Sequence, residues 1–401
     1  MPSRNTLLTA LGNLARQGAL AAGLAVLLSA PPAAIAGGKK AEPIAAYSYF
    51  ATGNPNAPVK APATLDTPSY VLMGGGPDVD KAFRWMITRA GITPKTGGRF
   101  VVIRATGTEA YNPYIYYSND ASSTSSPPEE LWVGGASLGL SSVETLVIPS
   151  VEAANDDTVN AIVARANAVF IAGGDQADYI RYWKGTKLDA TLRSLMAKNI
   201  PLGGTSAGLA VLGQFDFAAL NGTVTSKQAL SNPYNKYMTL DPSPLALSGG
   251  FLAPPALANL ITDSHLDARD RMGRLFAFVA RLVRPAGATG CGGGILPAGG
   301  GAGTARGIGL GVETALLVQG GPNGVTARRE TNPTTDTESA VYFVRPLNPP
   351  TACVDGKPLT MTTVEVQKLA DSNTVFNLSE WSGLESRTFD AVSGEVTAWP
   401  Y

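Results

Sequence analysis

Short apolar runs alternate with helix-like segments along residues 70–212, and this alternation limits the fold more than any other feature of the sequence. Each run has the length of a buried strand, and several end in glycine-rich turns. The predicted strands cover residues 70–73, 100–103, 144–148, 168–172 and 200–203. Helical spacing covers residues 79–90, 155–166, 179–197 and 207–212. Because strands that are apolar throughout must be covered on both faces, the pattern predicts an α/β fold around a mostly parallel sheet.

The segments beyond this pattern have a different texture. We assign residues 67–320 to the α/β domain, and within it the very glycine-rich residues 285–306 predict a long surface loop. Residues 307–319 return to one apolar strand. Residues 321–401 contain further runs of strand-like alternation, which predict a β-rich C-terminal extension.

The N-terminal residues have the pattern of an export signal. Two arginines precede an apolar run over residues 19–28, and a small-x-small sequence follows at residues 34–36. Residues 1–36 therefore predict a signal peptide and a secreted or periplasmic protein, with a membrane anchor or a disordered tail as the alternative. Residues 37–66 predict a linker or a loosely packed arm, so ordered structure should begin near Tyr70.

The composition argues against some partners. Hydrophobic residues make up 44% of the chain and charged residues only 15%, which allows a sizeable core. Lysine plus arginine and aspartate plus glutamate both number 31, so charge gives no case for binding nucleic acid or an anionic membrane. The two cysteines are Cys291 and Cys353, and an oxidising compartment would favour a disulfide between them. Two unpaired thiols are the alternative.

The chain has a single histidine, His265. Any acid–base step that uses an imidazole near neutral pH must use this one, and a metal site with two histidines would need a second chain. Helical spacing would place Arg269 on the face of His265, and Arg271 with Arg274 on another face. Clustered guanidinium groups suit carboxylate recognition, while a solvated helix with salt bridges is the alternative. No metal and no organic cofactor are needed for this chemistry.

The clearest chemical motif is Gly-Thr-Ser-Ala-Gly at residues 204–208, between a predicted strand and a predicted helix. This is the pattern of a nucleophile elbow, in which the small residues allow a tight turn and Ser206 projects from the sheet edge. The N–H of Ala207 would then point to where an oxyanion forms. An ordinary strand-to-helix turn is the alternative.

A second motif is Gly-Gly-Asp-Gln at residues 173–176, after the preceding strand. Here Gly174 could offer another oxyanion N–H, and Gln176 could bind a polar group of a substrate. The alternative is a helix N-terminus that Asp175 caps.

Taken in order, these motifs resemble those of the cyanophycinases, serine exopeptidases of peptidase family S51. The resemblance covers residues 70–319 and includes Asp263-Ser264-His265-Leu266 with its following arginines. It implies a flavodoxin-like three-layer sandwich, akin to class I glutamine amidotransferases. It also implies that the substrate is cyanophycin, a poly-aspartate with arginine on its side chains, which is cut to β-aspartyl-arginine. A homodimer is what the family suggests.

The resemblance also implies roles for individual residues. Ser206 would be the nucleophile, His265 its general base and Glu313 the acid that supports the histidine. The implied substrate-binding residues are Gln176, Asp263, Arg269, Arg271 and Arg274.

The sequence departs from the family pattern at several positions. Ser264 and Leu266 stand where the family has glutamine and phenylalanine. Without a gap, Val312 takes the place of the family glutamate, and Glu313 comes one residue late. On a strand it would point to the other face unless a bulge restored it, so another acid or none is the alternative.

Two other functions remain open at this stage. A related S51 peptidase could cleave other aspartyl peptides, although that branch usually has tryptophan in place of Thr205 and lacks the run of arginines. The alternative outside the enzymes is a non-catalytic binding protein that kept the substrate pocket. The displaced position of Glu313 motivates this alternative.

Overall fold

The computed structural model describes residues 46–117, 133–285, 293–333, 335, 339–398 and 400–401. The strands are β1 (Ser48–Gly53), β2 (Ser69–Met73), β3 (Arg99–Arg104), β4 (Ser142–Val147), β5 (Ala168–Ile171), β6 (Leu202–Thr205), β7 (Asp216–Phe217), β8 (Leu240–Asp241), β9 (Leu260–Asp263), β10 (Arg306–Leu310), β11 (Thr314–Gly321), β12 (Gly324–Thr331), β13 (Val341–Pro346), β14 (Met361–Leu369), β15 (Val375–Asn377), β16 (Ser386–Val392) and β17 (Glu395–Val396). The helices are α1 (Asp80–Arg89), α2 (Tyr111–Tyr116), α3 (Gly135–Leu138), α4 (Val151–Asn155), α5 (Asp157–Ala164), α6 (Gln176–Trp183), α7 (Lys187–Ala197), α8 (Ala207–Ala210), α9 (Ser226–Ser231) and α10 (Met272–Leu282), with a short 3-10 helix at Pro255–Leu257.

The first sheet has a parallel centre. Its strands lie in the order β1-β4-β3-β5-β6-β2-β11-β12-β15, and the run from β4 to β2 is parallel. Every residue of β2 is buried, as its uninterrupted apolar sequence requires. Val71 and Met73 pack on one face with Phe83 of α1, while Leu72 packs on the other with Leu192 of α7. The predicted α/β three-layer arrangement is confirmed.

A second sheet is built mainly from the C-terminal part of the chain. Its order is β17-β16-β14-β13-β10-β9, with β9 parallel to β10 and the other pairs antiparallel. Tyr342 and Val344 of β13 belong to the core that contains α10. Phe343 faces the opposite way and stacks on Phe376 of β15, with ring centroids 3.7 Å apart. The C-terminal region is β-rich as predicted, and its strands extend the first sheet as well as forming the second.

The prediction of one strand over residues 307–319 is wrong. The segment divides into β10 in the second sheet and β11 in the first. Between them Glu313 has a left-handed φ of 55°, which ends one strand and redirects the chain. The turn is stabilised by hydrogen bonds to the glycines that follow β2. Gly74 N–H donates to Thr314 O at 2.9 Å, and Glu313 N–H donates to Gly75 O at 2.9 Å.

Ordered structure also begins earlier than predicted. Residues 48–53, inside the expected arm over 37–66, form β1 and pair with β4 along the edge of the first sheet. Ser48 pairs with Val147 and Gly53 pairs with Ser142, so the whole strand is in register. The expectation that order begins near Tyr70 is therefore corrected.

Two predicted helices are each divided in two. The helix over 155–166 is interrupted at Asp156, whose carboxylate accepts from the N–H groups of Thr158 and Val159 and caps α5. The helix over 179–197 is part of a longer helical stretch that breaks between α6 and α7, where Gly185 has a φ of 74°.

Some predictions fall on residues that the structure does not describe. The signal peptide at 1–36 lies outside the described residues, and so does Cys291 in the glycine-rich loop. Cys353 is buried, and its pairing with Cys291 stays a prediction. No helix in the described part of the chain combines the length and the apolar character needed to cross a membrane.

Candidate active site

Ser206 lies on a strained turn between β6 and α8. Its φ of 51° and ψ of −111° are unusual for a residue with a side chain. A side chain at Gly208 would collide with the carbonyl of Ile171, and one at Gly204 would collide with the backbone of Gly208. The predicted strand–turn–helix context of this motif is confirmed, and both motif glycines are needed for the turn to close.

The lone imidazole contacts this serine. His265 follows β9, and its Nε2 lies 2.8 Å from Ser206 Oγ. Its backbone N–H donates to Gly74 O at 2.7 Å. Gly75 lies against the ring, so closely that an added Cβ would be 2.7 Å from each ring nitrogen. The glycine turn after β2 therefore fixes where the imidazole can sit.

Charge and burial keep the imidazole neutral. Burial, followed by the positive charges of Arg269 and Arg271, lowers the pKa of His265 to about 4, while Asp263 acts in the opposite direction. At neutral pH the ring therefore carries no charge and one of its nitrogens can accept a proton. This is the protonation state that a general base for Ser206 requires.

Glu313 makes no hydrogen bond with His265. Its backbone N–H donates to Gly75, the glycine against the imidazole, but no carboxylate of the described residues is hydrogen-bonded to the ring. Glu313 lies in a turn between β10 and β11, so its side chain does not belong to either face of a strand. Its role as the third member of a triad stays a prediction.

Asp263 and Arg274 form a buried ion pair with each other. Arg274 Nε donates to Asp263 Oδ2 at 2.7 Å, Arg274 Nη2 donates to Oδ1 at 2.5 Å, and each side chain is 2% exposed. Arg274 Nη1 also donates to Thr223 Oγ1 and Val224 O. The expectation that these two residues line the substrate site is corrected, because their polar atoms are shielded from solvent and face each other and the nearby chain.

The other two arginines are nearer to the surface. They lie in the loop over 264–271 that precedes α10, so the expected helix around His265 is not formed. Arg271 Nη1 donates to Ser264 O at 2.8 Å, and burial lowers the pKa of Arg271 to about 10. Arg269 is exposed, and its backbone N–H donates to His265 O. Of the three predicted arginines, Arg269 is the one with an open guanidinium group.

The backbone around Ser206 offers donors for an oxyanion. The N–H of Ala207 is at the first position of α8, where a helix supplies no acceptor of its own. Gly173 lies beside the serine, since an added Cβ there would be 3.5 Å from Ser206 Cβ. The predicted donor, Gly174, is exposed and lies next to Tyr179.

Gln176 begins α6 and its Nε2 lies 3.4 Å from Phe217 O. Asp175 accepts from Ala177 N–H at 2.9 Å, so the helix-cap alternative for this motif is confirmed. Within the described ranges, histidine, cysteine, aspartate and glutamate form no group of three that could hold a metal ion.

Sequence reasoning missed a carboxylate that supports the elbow. Asp78 Oδ1 accepts from Thr205 Oγ1 at 2.7 Å, and its Oδ2 accepts from the Tyr111 hydroxyl at 2.5 Å. Burial raises the pKa of Asp78. Asn332 Nδ2 donates to Asp78 O at 2.8 Å and so ties β12 to this loop. The only signal in the sequence is the position of Asp78, just after the glycines that end β2.

A serine on a strained elbow, in hydrogen-bond contact with a neutral imidazole, is the arrangement that serine hydrolases use. Residues 136–228 match the model of peptidase family S51, and this stretch contains Ser206 and the Gly-Gly-Asp-Gln motif. This stretch of the chain is therefore similar to the S51 peptidases. His265 and Glu313 lie outside the matched stretch.

The chain is also similar to two solved structures at low identity. One is a peptidase from an acI-B1 Actinobacterium, with 15% identity, a TM-score of 0.37, and coverage of 83% of this chain and 97% of that one. The other is a candidate peptidase E from Listeria monocytogenes EGD-e, with 14% identity, a TM-score of 0.36, and coverage of 66% and 100%. No curated protein matches the chain. The similarity to the S51 family therefore rests on the match over residues 136–228.

Proposed function

We propose that this peptidase is a cyanophycinase-like serine exopeptidase. The observation that carries the proposal is the 2.8 Å contact between Ser206 Oγ and His265 Nε2 on a strained elbow. Ser206 Oγ attacks the peptide carbonyl while His265 takes its proton, and His265 then returns that proton to the leaving amine. Water hydrolyses the resulting acyl-enzyme with His265 again as the base. The N–H of Ala207 and the Gly173-Gly174 turn stabilise the oxyanion.

The charge around the site suits a substrate with free carboxylates. Arg269 is exposed, Arg271 is mostly buried, and the positive charge of each acts on His265. In cyanophycin the aspartate side chains are in amide bonds, so the carboxylates of the attached arginines would pair with such guanidinium groups. In this proposal Asp263 and Arg274 do not touch the polymer, and their buried pair fixes the loop that carries the other two arginines.

The proposal includes export. A signal peptide over residues 1–36 would direct the enzyme to the periplasm or the medium, where it would degrade external cyanophycin. The proposed assembly is a homodimer. Size-exclusion chromatography with light scattering and N-terminal sequencing of the mature protein test these two parts separately.

Replacing the nucleophile tests the activity. Ser206→Ala should lower the release of β-aspartyl-arginine from cyanophycin by about 10⁴- to 10⁶-fold, as in other serine peptidases that lose their nucleophile. Ser194→Ala, an exposed serine on α7, is the matched control and should retain full activity. If Ser206→Ala hydrolyses cyanophycin as fast as the wild type, Ser206 is not the nucleophile and the proposed function is rejected.

One observation favours a second candidate within the same family. Because Arg274 is buried against Asp263, the site has fewer open arginines than the resemblance implies. A peptidase for shorter aspartyl peptides would need fewer of them. Hydrolysis of Asp-X dipeptides without hydrolysis of the polymer would identify that enzyme. Binding of the polymer with no labelling of Ser206 by a fluorophosphonate would instead identify a non-catalytic protein.

A further inference from the structure

We infer that Tyr401 is a positioning residue for the imidazole of His265, an inference that rests on the proposed Ser–His chemistry. The Tyr401 hydroxyl donates to Leu266 O at 2.9 Å and accepts from Met272 N–H at 3.1 Å. Leu266 directly follows His265, and Met272 is the first residue of α10. One hydroxyl therefore ties together both ends of the turn that carries the imidazole.

The need for such a tie comes from what surrounds the ring. No carboxylate of the described residues holds the imidazole, so its position depends on the backbone of its turn. That backbone is fixed by His265 N–H on Gly74 O and by Leu266 N–H on Leu310 O. Arg271 N–H also donates to Leu266 O and so closes the turn, and the Tyr401 hydroxyl adds a second link, from Leu266 to the first residue of the helix that follows.

The hydroxyl can be removed without dismantling the turn. Leu266 O also accepts from Arg271 N–H at 2.8 Å, so it keeps one partner when the tyrosine hydroxyl is lost. Met272 N–H, at the start of a helix, loses a partner that no intrahelical carbonyl can replace. The Tyr401 ring packs edge-on against Tyr342, with centroids 5.9 Å apart, and a phenylalanine would keep that contact. Burial raises the pKa of Tyr401, so the hydroxyl remains protonated and able to donate across the working pH range.

The test compares Tyr401→Phe with Tyr182→Phe in the full chain. Tyr182 is half-buried at the end of α6, and its hydroxyl makes no hydrogen bond within the described residues, so it controls for loss of a phenolic oxygen. We expect Tyr401→Phe to lower kcat about 10-fold with little change in KM, since misplacing a catalytic group by a fraction of an ångström is costly. Tyr182→Phe should match the wild type in both constants.

The pH profile separates positioning from a purely structural role. Burial is the first cause of the low pKa of His265, so a looser turn that admits water should move the acid limb of kcat/KM upward from about 4. A structural role alone would lower the melting temperature and leave this limb in place. An unchanged limb together with unchanged kcat would overturn the inference.

Two further measurements distinguish failure of this inference from failure of the proposed function. Fluorophosphonate labelling of the wild type at Ser206 reports the Ser–His pair directly, and absence of labelling would reject the function itself. If the wild type is labelled and Tyr401→Phe is labelled at the same rate, only the role of Tyr401 is rejected. If Tyr401→Phe does not fold, Tyr342→Leu replaces it, because this change removes the ring that packs against Tyr401. It should move the acid limb of kcat/KM upward by a smaller amount. An unmoved limb in that variant would count against the positioning role of Tyr401.

Discussion

Gly75→Ala should abolish most of the proposed activity by displacing His265, the proposed base. A Cβ at this position would lie 2.2 Å from His265 Cε1 and 2.7 Å from both ring nitrogens, whereas ordinary contacts begin at 3.4 Å, so the nearest ring atom must withdraw by about 1.2 Å. Ser206 cannot follow, because its N–H is bonded to Met73 O at 3.0 Å and the elbow glycines pack against backbone. The 2.8 Å contact between the two catalytic atoms is then lost.

The expected effect is a loss of about 10²-fold in kcat, the cost of misplacing a catalytic group by about 1 Å. Affinity for the substrate should change little, because the three atoms nearest an added Cβ at Gly75 all belong to the His265 ring. The φ of 127° at Gly75 adds backbone strain of about 1–3 kcal/mol for any other residue. Steady-state release of β-aspartyl-arginine gives kcat and KM, and urea unfolding gives the loss of stability.

Two glycine controls separate the collision from the strain. Gly76→Ala lies in the same turn, and its Cβ would meet only Asp78 N at 3.8 Å, so it should remain active. Gly91→Ala has a left-handed φ of 69° with no atom within 4 Å, so it should lose stability without losing kcat. If Gly75→Ala folds and keeps the wild-type kcat, the glycine turn does not place the imidazole and the reasoning fails.

Three other outcomes follow from the site. The acid limb of kcat/KM should lie near pH 4, because burial and the adjacent arginines lower the pKa of His265, and the neutral base is lost only as pH falls through that value. A limb near 6.5, the ordinary value for histidine, would contradict this. Arg274→Met should cost about 3 kcal/mol in urea unfolding, since it leaves Asp263 buried with Arg271, 3.9 Å away, in place of its hydrogen-bonded partner. A cost below about 1 kcal/mol would mean that the pair is not buried in solution. Glu313→Gln should change kcat by less than about 3-fold, whereas a loss near 10⁴-fold, typical of a triad acid, would show that its carboxylate reaches the imidazole during the reaction.

The features that could be predicted from the sequence are those that depend on residues close together in the chain. Apolar runs bounded by glycine specify the parallel strands, because burial on both faces favours apolar side chains. The elbow at Ser206 is equally local, since its glycines are needed by the turn itself. His265 was identified as its partner because the chain offers no other imidazole.

The parts that could not be predicted depend on contacts between distant segments. The break between β10 and β11 is held by hydrogen bonds to Gly74 and Gly75, more than 200 residues away in sequence. The helical spacing around Arg269 did not reveal that Leu266 would pair with β10 and keep the segment as a loop. Whether Arg274 faces a substrate or an aspartate is also a question of burial, which its spacing from other arginines does not answer.

The proposed nucleophile and the proposed base follow strands of different sheets, and this has a consequence for heat tolerance. Ser206 follows β6 of the first sheet, while His265 follows β9 of the second, and the two sheets meet through contacts such as the stacked rings of Phe343 and Phe376. A partial opening between the sheets would separate the reacting atoms while each sheet keeps its own hydrogen bonds. The packing between the two sheets then sets the highest temperature at which the protein is active. Reversible heat inactivation should therefore precede the loss of secondary structure.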